Sequence, residues 1–417
     1  MGKIMSVNAG DTAWIIVASA FVLLMTPGLA FFYGGMVRAK NVLGMLAQNY
    51  ITMGIVSVLW VLGVYSLAFS GKGRWIGDLH QFGLNHIWQQ ATGFEGLTIP
   101  PLVFCAFQLM FAIITPALIT GGTADRLKFG AWTLFAGIWL VVVYAPVAHW
   151  VFSPEGWLFK LGAEDFAGGT VVHANAGAAA LALVFVIGKR RGWPKERMRP
   201  HNVPFVLLGA GLLWFGWFGF NAGSALAANT LSAYAFVNTN TATGAALLAW
   251  MLTEKFRFGH ATTLGAASGA VAGLVAITPA CGFVSPMGSL IIGFIAGGIC
   301  CLATGLKEHF GYDDALDVVG VHLVGGVIGA LLIGLFGSKK INGVNGLFYG
   351  GGWQLLIHQA IAVLAVVIYS FVVTYILGLI LQRTWGLRAN YSEEATGLDL
   401  SQHAETAYEG TLGGRLI

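Results

Sequence analysis

The chain has 417 residues, 57% of them hydrophobic and only 10% charged, with a formal net charge of +4. Soluble domains carry about a quarter charged residues, so this composition excludes a water-soluble enzyme and fits a polytopic membrane protein. The small positive excess does not call for nucleic acid, because the basic residues fall in short loops between apolar runs. Apolar runs of roughly 20 residues, long enough to cross a bilayer core, lie near 12–36, 44–70, 100–122, 130–152, 170–188, 203–221, 233–253, 262–279, 286–305, 315–337 and 353–381. They predict an all-α membrane protein with eleven transmembrane helices. The first run reads as a span and not as a cleavable signal. Residues 1–6 fit a myristoylation pattern only formally, since the topology puts this end outside.

Basic residues orient the chain. Arg38, Lys40, Arg126, Lys128, the cluster Lys189, Arg190, Arg191, Lys195, Arg197 and Arg199, then Lys255, Arg257 and Lys307 fall on one side with the C-terminal tail. The opposite loops hold Lys72, Arg74, Lys160, Lys339 and Lys340, with Lys3 in the N-terminal stub. The positive-inside bias therefore predicts N-terminus out and C-terminus in. The 59 glycines favour close helix–helix approach. Cys105, Cys281, Cys300 and Cys301 show no metal-ligand spacing and read as packing residues, not a disulfide framework.

Two histidines lie inside apolar runs, each eight residues after an aspartate: Asp165-Phe-Ala-Gly-Gly-Thr-Val-Val-His173 and Asp314-Ala-Leu-Asp-Val-Val-Gly-Val-His322. Each also has a glycine four residues later, Gly177 and Gly326. Spans five and ten enter from opposite sides, so the match predicts an inverted repeat of five helices each, plus one C-terminal helix. Eight helical residues rise about 12 Å, which puts both rings near the middle of a ~30 Å core. Ionisable groups at that depth are functional candidates, and two adjacent imidazoles can share one proton, one ring donating and the other accepting. A bis-histidine haem is the rival reading; one histidine per span, with no second pair, weakens it. Asp165 fits a helix-start acid as well as a substrate contact. Asp313, Asp314 and Asp317 read as structural groups at the start of span ten.

Aromatic residues gather where the spans meet the outside: Phe107 and Phe111 four apart in span three, Phe152 ending span four, Trp217 and Phe220 in span six, with Ser224 following. Aromatic faces attract cations by ~2 kcal/mol when desolvated, and a hydroxyl accepts from an ammonium. An interfacial aromatic belt accounts for the same residues more simply.

Together these segments resemble the ammonium transporter (Amt/MEP/Rh) family, on its Amt side. The matching text is Pro27-Gly-Leu-Ala-Phe-Phe-Tyr-Gly-Gly35, the Asp165 to His173 run, Gly216-Trp-Phe-Gly-Phe-Asn-Ala-Gly-Ser224, Ala276-Ile-Thr-Pro-Ala-Cys-Gly282, Asp317-Val-Val-Gly-Val-His322 and the tail Gly397-Leu-Asp-Leu-Ser-Gln-His-Ala-Glu-Thr-Ala-Tyr408. The resemblance, to the bacterial and archaeal Amt type, implies a homotrimer in the cell inner (cytoplasmic) membrane, with one pore per subunit and no cofactor or metal. It implies a transmembrane domain over 1–385, spans one to five and six to ten being the repeats and span eleven lying at 353–385, followed by a cytoplasmic tail over 386–417. Within the pore it implies twin histidines at His173 and His322, a phenyl gate at Phe111 and Phe220, and Trp217 in the wall. It further implies an ammonium vestibule of Phe107, Phe111, Phe152, Asp165, Ser224 and the Ala167 carbonyl. Phe152 departs from the tryptophan that bacterial members often carry there; Trp150 and Trp157 are the nearby indoles.

The implied activity is transport of ammonium or ammonia, with methylammonium as analogue, and not catalysis. Carrying a bare ammonium through hydrocarbon costs on the order of 20 kcal/mol by ideal Born solvation. Deprotonating a lysine-like ammonium of pKa ~10 near neutral pH costs only about 4 kcal/mol. Whether the proton then follows through the histidine pair stays open at this point. The alternative is an ammonium sensor signalling through the tail or a partner, and the resemblance also implies a PII-type signal protein on the cytoplasmic face.

Overall fold

The protein, described from a computed structural model, is defined over residues 7–87, 97–196, 198–408, 411–412 and 415–416. Lys3, Arg197 and the residue 1–6 pattern lie outside the described residues. The long helices are α1 (Ala9–Met36), α2 (42–69), α3 (Pro101–Thr123), α4 (129–152), α5 (Gly169–Ile187), α6 (Val203–Gly223), α7 (Thr230–Phe258), α8 (Thr263–Ile277), α9 (Pro286–Ala303), α10 (Val319–Phe336) and α11 (Gln354–Thr384). Strand pairing among the described residues is limited to a two-residue ladder, Thr411–Leu412 against Arg415–Leu416, and an isolated antiparallel bridge between Leu127 and Arg388.

Nine helices are long and apolar enough to cross a membrane among the described residues, all of these except α7 and α8. Apolar side chains cover their outsides as well as their insides: Val58, Leu102, Leu364 and Ile368 are each more than half exposed. A helix apolar all round suits lipid, because its backbone polar groups are paired internally. α8 is shorter. α7 is long but rich in Asn and Thr, and it uses those groups inside the protein: Asn238 Nδ2 donates to the Cys281 and Val284 carbonyls, both at 2.8 Å. All four cysteines are buried and free.

Packing repeats along the chain. Within the first five helices, α1 packs on α2 and α3, α2 on α3 and α4, and α3 on α5. Each pairing has its counterpart five helices later: α6 on α7 and α8, α7 on α8 and α9, and α8 on α10. α1 against α6 forms the longest seam between the two sets. It is close because a Cβ on Gly209 would stand 2.2 Å from the Phe32 amide nitrogen. α11 lies outside both sets, against α5 and α10.

Four helices contain a π-helical turn, at Trp60–Val64, Leu140–Tyr144, Gly169–Ala174 and Val319–Leu323. Such turns insert one extra residue and recur at functional sites. The last two hold His173 and His322.

On the inner side, by the basic-residue reading, charges that looked like loop groups are buried. Arg126 is fully buried and donates to the carbonyls of Gly188 (2.9 Å), Ala124 (3.0 Å), Gly122 (3.2 Å) and Asp313 (2.6 Å). Arg190 clasps Asp313 through Nε and Nη2, at 3.0 and 2.7 Å. Burial alone would raise the Asp313 carboxyl, but the Arg190 hydrogen bonds and the Arg126 charge hold it below its ordinary value. The tail docks beside this knot: Asp399 accepts from the Gly44 amide (2.8 Å), Asn41 from Leu398 (2.9 Å), and Gln402 from Phe129 (2.8 Å).

Candidate functional site

Asp165 sets the start of α5. One carboxylate oxygen accepts from the amides of Gly168 (2.8 Å) and Gly169 (2.7 Å), the other from Thr170 (2.8 Å) and Val171 (3.2 Å), with the Thr170 hydroxyl added. These are the orphan donors of a helix N-terminus. The cap therefore consumes the carboxylate, as the helix-start reading expects. Asp165→Asn would turn one acceptor into a donor facing those amides. We expect it to cost about 1–3 kcal/mol and to loosen the His173 turn, read as a lower thermal unfolding midpoint. Asp314 plays a lighter version of this role for α10, accepting from the Val319 amide at 2.7 Å, while Asp317 pairs with Lys307.

Above α5 lies a bowl enclosing ≈ 710 Å³ of empty space, open solvent included. Phe107, Phe111, Phe152, Asp165 and Ser224 all line it, together with Gln108, Glu164, Phe166 and Phe283. Phe107, Phe111, Trp217 and Phe220 are buried to 1% exposure or less, which removes the interfacial-belt reading for these four rings. Ala167 is fully buried and is not among the lining residues. Trp150 and Trp157 cluster with Trp75 instead, and neither lines the bowl. Ser224 donates its hydroxyl proton to the Phe220 carbonyl at 2.8 Å, leaving its lone pairs to accept.

Phe111, which lines the bowl, packs on Phe220 with ring centroids 4.3 Å apart and planes tilted by 34°. Phe220 leads on to His173 at 6.0 Å, and His173 to His322 at 5.3 Å with the rings 25° from parallel. Trp217 stacks on His173 at 5.3 Å and is fixed by its indole N–H, which donates to Thr278 Oγ1 at 2.7 Å. The two Nδ1 atoms stand 3.2 Å apart. One must carry the proton and the other the lone pair, so the rings differ at Nε2 as well. His173 Nε2 is buried without a partner among the described residues. A shared iron would hold two axial nitrogens about 4 Å apart at ~2 Å per bond, so this contact has no room for one.

The glycines of the repeat explain how the rings meet. Four residues on from a histidine lies the same helix face, and each glycine there receives the other helix's π-turn. A Cβ on Gly177 would stand 2.5 Å from the Leu323 amide nitrogen, and one on Gly326 2.6 Å from the Gly169 carbonyl oxygen.

Sequence reasoning missed Glu164, Gln108, Phe166 and Phe283 in the bowl, and Thr278 under Trp217. It also passed over His149, fully buried, whose ring nitrogens lie 2.9 Å from the Ala68 carbonyl and 2.6 Å from that of Gly73. Only the adjacency of Glu164 to Asp165 was a usable signal.

The Ammonium Transporter Family matches residues 13–408 of this chain. The ammonium transporter of Mycobacterium tuberculosis is 55% identical, over 96% of this chain and 91% of the relative. Amt1 of Archaeoglobus fulgidus is 45% identical over 96% and 99%. Among solved structures, Candida albicans Mep2 superposes with TM-score 0.87 at 36% identity, over 93% of this chain and 88% of that one. A structure titled Sensor Amt Protein gives TM-score 0.87 at 30% identity, over 94% and 98%. With a buried histidine pair under an aromatic bowl and relatives of this similarity over nearly its whole length, the chain belongs to the ammonium transporter family.

Proposed function

We propose that the protein captures ammonium in the aromatic bowl, where it gives up its proton to water of the open bowl or to the imidazole pair, and conducts ammonia past the phenyl pair, His173 and His322. The observation that carries this reading is the Nδ1–Nδ1 contact of 3.2 Å, buried under the Phe111–Phe220 stack. Phe107, Phe111 and Phe152 offer ring faces to a cation, and Ser224 offers a lone pair. The Ala167 carbonyl joins them on the family resemblance alone. A closed phenyl pair stops a hydrated cation, whereas an ammonium that leaves its proton behind passes as a small neutral molecule. Potassium has no proton to lose. Below the gate, one imidazole N–H and one lone pair give ammonia both kinds of hydrogen-bond partner.

In this reading all eleven helices cross the bilayer, N-terminus out and C-terminus in. α1–α5 and α6–α10 form inverted repeats, which the matched packing of the two sets supports. The same reading places the protein as a homotrimer in the cytoplasmic membrane, with the docked tail available to a PII-type partner. Sensing at the same bowl is the second reading. The tail's contacts with Asn41 and Gly44 favour keeping it, since they tie α2 to the terminus. A pure sensor would show ammonium-dependent change at the tail without uptake.

Solid-supported-membrane currents and labelled methylammonium uptake by the reconstituted protein test the proposal. Ammonium and methylammonium are expected to be carried and potassium refused. His173→Ala and His322→Ala should each cut selective uptake by about tenfold, the equivalent of one lost buried hydrogen bond. Uptake without current means neutral ammonia passage; current with ammonium alone means the proton follows. Unchanged selective uptake in both variants removes the histidines from the path.

A further inference from the structure

The bowl holds two carboxylates, and they are not equivalent. Asp165 is taken up by four amides and a hydroxyl of its own helix start. Glu164 also lines the bowl, yet its carboxylate has no hydrogen bond or ion pair among the described residues. Its backbone is nevertheless fixed. The Glu164 amide donates to Gln359 Oε1 at 2.7 Å, and its carbonyl accepts from Gln359 Nε2 at 2.7 Å. Gln359 is itself buried on α11 and held by the Ala330 carbonyl at 2.9 Å. Glu164 is therefore an anchored acid with free lone pairs that lines the same bowl as the rings and the Ser224 hydroxyl.

We propose that Glu164 sets the cation affinity of the bowl: its ionised carboxylate concentrates ammonium beside Ser224, where the phenyl rings supply only weak cation–π attraction. This rests on the transport reading above and adds to it a residue that governs capture. Burial, and then the neighbouring Asp165 charge, push the Glu164 carboxyl up to about 7. Glu164 is thus ionised above neutrality and increasingly neutral below it. Ammonium, a lysine-like amine of pKa ~10, stays protonated across that window, so the change belongs to the protein. The other charged or titratable groups nearby are few. Asp165 adjoins Glu164 in the chain; His358 on α11 has its Nδ1 3.3 Å from the Gly162 carbonyl; Lys160 is paired with Glu155. From α3, α4 and the segments at 224–226 and 283, the bowl receives only uncharged side chains.

The test is the half-saturating concentration for labelled methylammonium uptake by the reconstituted full chain, measured near pH 6 and near pH 8. In the wild type it should fall about threefold to tenfold as pH rises, the scale of one partly solvated charge a few ångströms away. Glu164→Gln should hold half-saturation at the acid value throughout, with the effect falling on half-saturation and not on maximal rate. Glu164→Asp should keep a pH dependence. Wild-type half-saturation at both pH values in Glu164→Gln would overturn the proposal, and so would loss of the pH dependence in His358→Asn. A wild type that takes up no methylammonium removes the transport reading and this proposal with it; a wild type that transports, with a profile indifferent to Glu164, removes only the second.

Discussion

Alanine at Gly177 or Gly326 is expected to remove most selective methylammonium uptake, while alanine at Gly211 or Gly244 leaves it at the wild-type level. All four changes add one methyl group to a helix. At Gly211 and Gly244 that methyl meets nothing within 4 Å, and the change also improves helix propensity. At Gly177 it would meet the Leu323 amide nitrogen at 2.5 Å, and at Gly326 the Gly169 carbonyl at 2.6 Å and the Ala174 amide nitrogen at 2.9 Å. Backbone atoms cannot rotate away as side chains do, so α5 and α10 must separate. Overpacking of this kind costs about 1–3 kcal/mol. The imidazole contact at 3.2 Å has little slack, because hydrogen bonds weaken steeply with distance and misalignment. Uptake should fall by about tenfold to a hundredfold in protein that still elutes as folded on gel filtration. Wild-type uptake by Gly326→Ala would show that the close crossing is not what holds the pair.

The second large effect is on stability. Arg126→Met should lower stability by about 3–5 kcal/mol, the range for removing one partner from a buried charge network. Its guanidinium serves the carbonyls of Gly122 at the end of α3, Gly188 after α5 and Asp313 before α10. Methionine fills a similar volume but leaves those acceptors without their donor. Burial pushes the Arg126 guanidinium down to about 10, partly offset by Asp313, so it remains charged near neutral pH. Thermal unfolding in detergent should show a large drop for Arg126→Met. Arg257→Met, at an exposed position, should stay within about 0.5 kcal/mol of the wild type. Acid should act on the same knot. Asp313 has a folded-state value below its ordinary one, so its contribution is present above the ordinary carboxylate range and is lost as pH falls through the depressed value. A midpoint for Arg126→Met equal to that of Arg257→Met would mean that water serves those carbonyls equally well.

The apolar runs were legible because lipid imposes one requirement along each helix, about 20 apolar residues. Span three, expected at 100–122, is Pro101–Thr123, and span six, expected at 203–221, is Val203–Gly223. Span seven, expected at 233–253, is the middle of the helix Thr230–Phe258, because its ends carry Thr230, Ser232, Glu254, Lys255 and Arg257, which an apolar-run reading leaves out. The π-turns left no trace in the apolar pattern, since most residues around them are apolar whichever way they face, and one inserted residue does not break such a run. Charge misled in its own way. Arg126 and Arg190 entered the reading only as part of the one-sided basic group, and nothing local distinguishes a loop arginine in water from one closing the ends of three helices. In the bowl, the rings stood out by type and spacing, and Asp165 by its place before a helix. Glu164 did not, because the partner that anchors it, Gln359, lies 195 residues away.

The facing of Nδ1 to Nδ1 has one further consequence. A hydrogen bond between identical atoms has no built-in direction: either ring can donate, provided that the proton at Nε2 changes rings as well so that both stay neutral. Whichever ring gives its Nδ1 proton keeps a bare Nε2, and the other then presents an N–H at Nε2. The row of rings thus carries a polarity that is held but not fixed. A molecule that delivers a proton at one end and collects one at the other would leave the polarity reversed, and the next such passage must wait for both rings to turn over. If the proton follows ammonia in the transport reading proposed above, the pair would act as a two-position toggle, whose resetting time would limit proton traffic but not a neutral molecule moving alongside.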